Sequence, residues 1–167
     1  MYRQLTFTAL LSVLILLSGS LKVPSPIAGS EFQLSAPIAV LICAYFGFTR
    51  YLTAGIIASI IGMLLGLASP LNVLIAMVFR IVAGIVITAG RATFPAVIIS
   101  GPLGTAAARL VLGQFLHVNW LILLAGAVPG MIFTAVTAGI LYLPARNFLS
   151  RVPLIQNYLL QAGGLRK

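Results

Sequence analysis

Six continuous apolar runs, at residues 5–21, 36–48, 51–68, 71–90, 92–115 and 120–143, are separated by short polar breaks. None alternates apolar and polar residues with period two, so the pattern predicts membrane-spanning α-helices and not the strands of a β-barrel. Within the first run, Leu5 to Leu17 follow Arg3 and precede Ser18-Gly19-Ser20, a layout also open to a cleavable signal peptide. Because apolar character continues to Val23, residues 5–21 are assigned as the first span. The break at 22–35 is the longest before the tail. Pro24 and Pro26 forbid a regular helix there, which leaves a plain connector or a lid over a pocket.

The second run has Pro37 near its first turn and closes at Gly47-Phe48-Thr49-Arg50. In the third, Ala54, Ala58, Gly62 and Gly66 recur every four residues and form one small-residue ridge. Such a ridge lets another helix approach closely, either within this chain or on a partner subunit. Ser69-Pro70 turns into the fourth run, where Ala76, Arg80, Gly84 and Thr88 share a face and place an arginine against protein instead of lipid. Pro102 should kink or break the fifth run and free carbonyl groups at membrane depth. Gln114, His117 and Asn119 mark a polar turn before the sixth, which carries Gly126-xxx-Gly130 around Pro129 and ends near Tyr142, an expected interfacial aromatic. His117 itself reads as a turn residue more readily than as a ligand.

Composition narrows the class. With 61% hydrophobic and 7% charged residues, the chain fits an integral membrane bundle and not a soluble domain. It divides into one six-helix transmembrane unit, residues 1–143, and a basic tail, residues 144–167, whose mixed Arg, Phe, Leu and Tyr content suits an anionic leaflet. The net charge of +9 comes from ten Lys and Arg against Glu31 alone. The basic residues stand singly at the ends of runs, as topology markers do, and not in the stripe that nucleic acid requires. A cytoplasmic N-terminus puts Arg3, Arg50, Arg91 and the basic tail inside and leaves Lys22 outside. The C-terminus is then cytoplasmic as well, and the fold class is all-α.

Two arginines remain within spans. By helical rise Arg80 lies ~13 Å and Arg109 ~10 Å below the outer ends of their helices. A mid-membrane arginine costs at least ~2.5 kcal/mol on insertion scales, so it needs a partner. With one carboxylate in the chain, at least one guanidinium has no internal acidic partner, and an anion entering from outside is the economical one. The alternative is that Arg80 donates to carbonyls freed by Pro102 or Pro129 while Arg109 reaches lipid headgroups. Catalysis is poorly supplied. One acidic residue, one histidine and one cysteine (Cys43) cannot build a carboxylate pair, a Ser-His-Asp triad or a metal site, and no phosphate-binding loop motif is present. Neither enzyme activity nor a cofactor is expected.

The architecture, together with Lys22-Val23-Pro24-Ser25-Pro26 leading to Phe32-Gln33-Leu34, and with Ala54-Gly55 opening a small-residue third helix, resembles the S components of energy-coupling-factor (ECF) vitamin transporters, loosely the biotin type. The resemblance covers residues 5–143. It implies a multi-pass subunit of the prokaryotic plasma membrane that captures a vitamin or similar micronutrient outside and works with a transmembrane coupling subunit and two cytoplasmic ATPases. On this reading Arg80 and Arg109 clamp the anion, Phe32 and Gln33 are lid contacts, and Asn72, Gln114 and Asn119 orient the ligand. The family's docking alanines on the first helix are replaced here by Thr8, Ala9 and Ser12, which leaves Ala54, Ala58, Gly62 and Gly66 either to substitute as the docking face or to pack internally. A membrane scaffold without a small-molecule ligand and a stand-alone small-anion facilitator are the competing functions.

Overall fold

The computed structural model describes residues 2–24 and 31–152, with the backbone alone at residues 3, 22–24 and 31–33. Six helices follow one another: α1 (Tyr2–Ser20), α2 (Ser35–Phe46), α3 (Phe48–Leu64), α4 (Pro70–Ala89), α5 (Phe94–Leu116) and α6 (Trp120–Arg151). Between α1 and α2, β1 (Lys22–Pro24) and β2 (Glu31–Gln33) pair antiparallel, Val23 opposite Phe32. The expected all-α chain therefore carries one two-stranded ribbon, beside α1 and α6. Prolines that bar a helix leave the backbone to find its partners across a ladder instead. The lid expected at residues 25–30 and the tail beyond Val152 lie outside the described residues.

Only α4, α5 and α6 are both long and apolar enough to cross a membrane; α1, α2 and α3 are apolar but shorter. Large hydrophobic side chains stand exposed along their outer faces, among them Leu10, Leu17, Ile60, Ile85, Ile122, Ile132 and Ile140. Apolar surface on this scale is the exterior of a protein whose solvent is lipid. Polar side chains inside mostly satisfy themselves locally: the Ser12, Ser100 and Thr134 hydroxyls donate to carbonyls three or four residues back in their own helices.

At the centre lies α2. Pro37 and all of residues 39–46 are buried, and the helix borders every other helix of the bundle. Its twelve residues span roughly 18 Å, short of the ~30 Å hydrocarbon thickness. The join to α3 is a single residue, Gly47, at φ 92° and ψ 162°. This region of backbone space is essentially closed to side chains, so α3 starts at Phe48, three residues earlier than the apolar run suggests. Gly47→Ala is expected to destabilise the fold by about 1–3 kcal/mol, read as a lowered thermal midpoint of the detergent-purified chain.

At its far end α3 stops at Leu64, not at Ala68. Gly66 adopts φ +70° while the Leu67 amide donates to the Gly62 carbonyl at 2.8 Å and the Gly66 amide to Met63 at 3.1 Å, a Schellman stop. The expected ridge therefore divides. Ala54, Ala58 and Gly62 are buried inside the chain, with Leu16 of α1 against Gly62, whereas Gly66 is an exposed turn residue. The buried part of the ridge packs within the chain, and at Gly62 its neighbour is α1.

The α5 helix runs unbroken through Pro102, and α6 passes through both Pro129 and Pro144 to Arg151. The kink expected at Pro102 does not end the helix, and the tail expected from residue 144 begins as a continuation of α6. Close packing at Gly101, where an added Cβ would meet the Thr134 side chain at 2.5 Å, holds α5 to α6 one residue before that proline. Among the described residues no atom lies within 4 Å of a Cβ added at Gly126 or Gly130, so this GxxxG spacing seats no close helix approach there. Tyr142, the expected interfacial aromatic, ties three elements together. It receives a hydrogen bond on its carbonyl from the Tyr45 hydroxyl and donates its own to the Ala92 carbonyl at 3.0 Å, and the two rings stack.

Candidate functional site

The face expected on α4 turns inward in part: Arg80 and Gly84 are buried, with Ala83 and Ile87 beside them, whereas Ala76 is half-buried and Thr88 exposed. Arg80 is 8% exposed. Its guanidinium crosses to α3 and donates from Nη1 to the Ser59 hydroxyl at 2.7 Å. The bond does not go to carbonyls freed by Pro102 or Pro129. The route exists because Gly55 has no side chain: a Cβ there would stand 2.6 Å from Arg80 Nε and 2.7 Å from Cδ. Gly84, one turn along α4, does the same for Phe48, whose ring would lie 2.3 Å from an added Cβ.

One turn before Gly55 on the same face of α3 is Tyr51. It is fully buried, lies within electrostatic reach of Arg80 and of Cys43 on α2, and its hydroxyl has no hydrogen-bond partner among the described residues. Tyr51, Gly55 and Ser59 thus make a polar row beside the ridge of Ala54, Ala58 and Gly62, and the arginine lies along it. No acidic side chain pairs with Arg80 among the described residues, and the only acidic residue in the sequence is Glu31 of β2. A guanidinium has five N–H donors, one of which Ser59 takes. The arrangement is a buried cation with unused hydrogen-bonding capacity, chemically suited to an anionic group.

The other residues singled out in the sequence do not converge here. Arg109 is half-buried on α5 with no hydrogen bond among the described residues. Asn72 is exposed in the first turn of α4, where its amide donates to the N-cap Ser69 hydroxyl. Asn119 caps α6, its side-chain oxygen accepting from the Leu121 amide at 2.9 Å. Gln114 is exposed beside Leu110, Val111 and Phe115 in a shallow, almost wholly apolar recess. Phe32 and Gln33 lie in β2, where the backbone alone is described. Sequence reasoning missed Tyr51, Gly55 as an arginine seat, and Ser59. The signal was present, since these residues recur every four positions one place along from the ridge.

Fold and site together define a class: an α-helical membrane protein whose apolar bundle encloses a single buried arginine on a glycine-serine seat. No protein-family model matches the chain. It is 50% identical over 129 residues to Protein BioX of Lysinibacillus sphaericus, covering 77% of this chain and 78% of that protein. The chain belongs to the BioX family.

Proposed function

We propose that this chain is the membrane-embedded substrate-binding subunit of an ECF-type importer, capturing a small anionic micronutrient from outside the cell for ATP-driven uptake by partner subunits. The observation that carries the reading is Arg80, a cation buried with no carboxylate partner among the described residues and seated on Ser59 by the gap at Gly55. A buried charge without a counter-charge is retained at a cost in stability, and ligand binding is the use that explains it. The BioX relationship and the resemblance to biotin-type S components support a biotin-related ligand. In this reading the six helices all cross the plasma membrane with both termini cytoplasmic, and the ends of α4, α5 and α6 at Ser69, His117 and Asn119 face outward with the ribbon. The chain itself performs no chemistry and needs no cofactor; two ATPases and a coupling subunit supply the energy.

Native mass spectrometry of the detergent-purified chain is expected to show one co-purified or added anionic micronutrient per protein. Reconstituted alone, the chain should bind but not accumulate this ligand, and accumulation should require ATP and the partner subunits. Concentrative uptake by the isolated chain, or a protein still empty after a vitamin panel that includes biotin, would overturn the reading.

A further inference from the structure

We infer that the group held at Arg80 is a monoanionic carboxylate and that the Tyr51 hydroxyl is its second hydrogen-bond donor. The inference rests on the binding-subunit reading and adds the ligand's charged group and a residue that positions it. Three observations lead to it. Tyr51 is 0% exposed with an unpartnered hydroxyl, and an unsatisfied buried hydroxyl is disfavoured unless something else meets it. It stands on the α3 face that Arg80 crosses, one helical turn from Gly55, whose vacant Cβ position lies against Arg80 Nε. Ser59 receives one guanidinium N–H and thereby fixes the arginine while leaving its other donors uncommitted.

Charge and donor count decide the class of anion. One guanidinium offers a single positive charge and a planar fork that matches a carboxylate. The phenol adds one neutral donor without adding charge. Phosphate carries about −1.5 to −2 at neutral pH and three acceptor oxygens, more than this site can balance among neighbours such as Ala54, Ala58 and Ala83. A carboxylate is matched in charge by the guanidinium and in acceptor oxygens by its fork and the phenol.

The test uses the full chain in nanodiscs and calorimetric titration with biotin, hexanoate, the primary amide of each, and inorganic phosphate. At least one acid is expected to bind 100-fold or more tightly than its amide, with phosphate failing to compete. Tyr51→Phe should weaken the acid 5- to 20-fold and leave the amide within twofold. Because this variant removes an unsatisfied buried hydroxyl, its thermal midpoint should hold or rise, which separates lost binding from lost fold. An unchanged acid-to-amide ratio in Tyr51→Phe would make Tyr51 a packing residue while leaving the Arg80 site intact, and competition by phosphate would overturn the carboxylate assignment. Failure of either acid to bind the parent chain, or an acid preference that survives in Arg80→Gln, would instead sink the arginine site and with it this inference.

Discussion

Arg80→Met is expected to abolish ligand binding while leaving the protein as stable as before or more so. Truncating one side of a buried charge-assisted contact costs roughly 2–5 kcal/mol of affinity, so a loss of at least ~100-fold should be read in titrations. Stability should move the other way. The substitution removes a desolvated cation with no acidic partner, a burden of ~2.5 kcal/mol or more at membrane depth, against ~1.5–3 kcal/mol for its bond to Ser59. Methionine fills a comparable unbranched volume, and the freed Ser59 hydroxyl can donate to a carbonyl in its own helix. A thermal midpoint that falls sharply with binding intact would identify Arg80 as a structural strut and not a binding residue.

Gly55→Leu is expected to have the second-largest effect. The new side chain would enter space held by Arg80 Cδ and Nε, which stand 2.7 and 2.6 Å from an added Cβ, and those atoms lie too near the stem to swing clear cheaply. Overpacking of this kind costs about 1–3 kcal/mol and pushes the guanidinium off Ser59. Affinity should therefore drop as far as in Arg80→Met, with stability falling instead of rising. Gly126→Leu is the control: nothing lies within 4 Å of a Cβ at that position, so binding and thermal midpoint should match the parent. Equal behaviour of the two leucine variants would remove the argument that Gly55 is a seat.

The sequence revealed periodicity well and handedness of contact poorly. Apolar runs located all six helices, and the row of small residues rightly put Arg80 and Gly84 inside, while Thr88 on the same row is exposed because a strict step of four drifts off a 3.6-residue repeat. Whether a ridge meets its own chain or another subunit is a property of two helices at once. Ala54, Ala58 and Gly62 were consequently open to docking or to internal packing and are buried within the chain, while Gly126 and Gly130 carry a packing motif that seats nothing among the described residues. The start of α3 moved for a different reason. One glycine conformation at Gly47 reverses the chain, and hydropathy has no means of registering a backbone angle. At the site, Arg80 stood out by charge alone. Tyr51 and Ser59 are unremarkable residues in an apolar run until the fold brings a cation to them, and Arg109 shows the converse, an equally conspicuous charge that meets no polar partner among the described residues.

The tyrosine bonds have a mechanical consequence. Tyr45 to Tyr142, Tyr142 to Ala92, and Arg50 to Gln4 at 3.3 Å all cross between elements at the end of the bundle where α2 meets α3 and α4 turns into α5. At the opposite end, Ser69 and Asn119 spend their side chains on their own helices. These three bonds lie at one pole, so sliding one helix past another there breaks directional contacts as well as apolar ones.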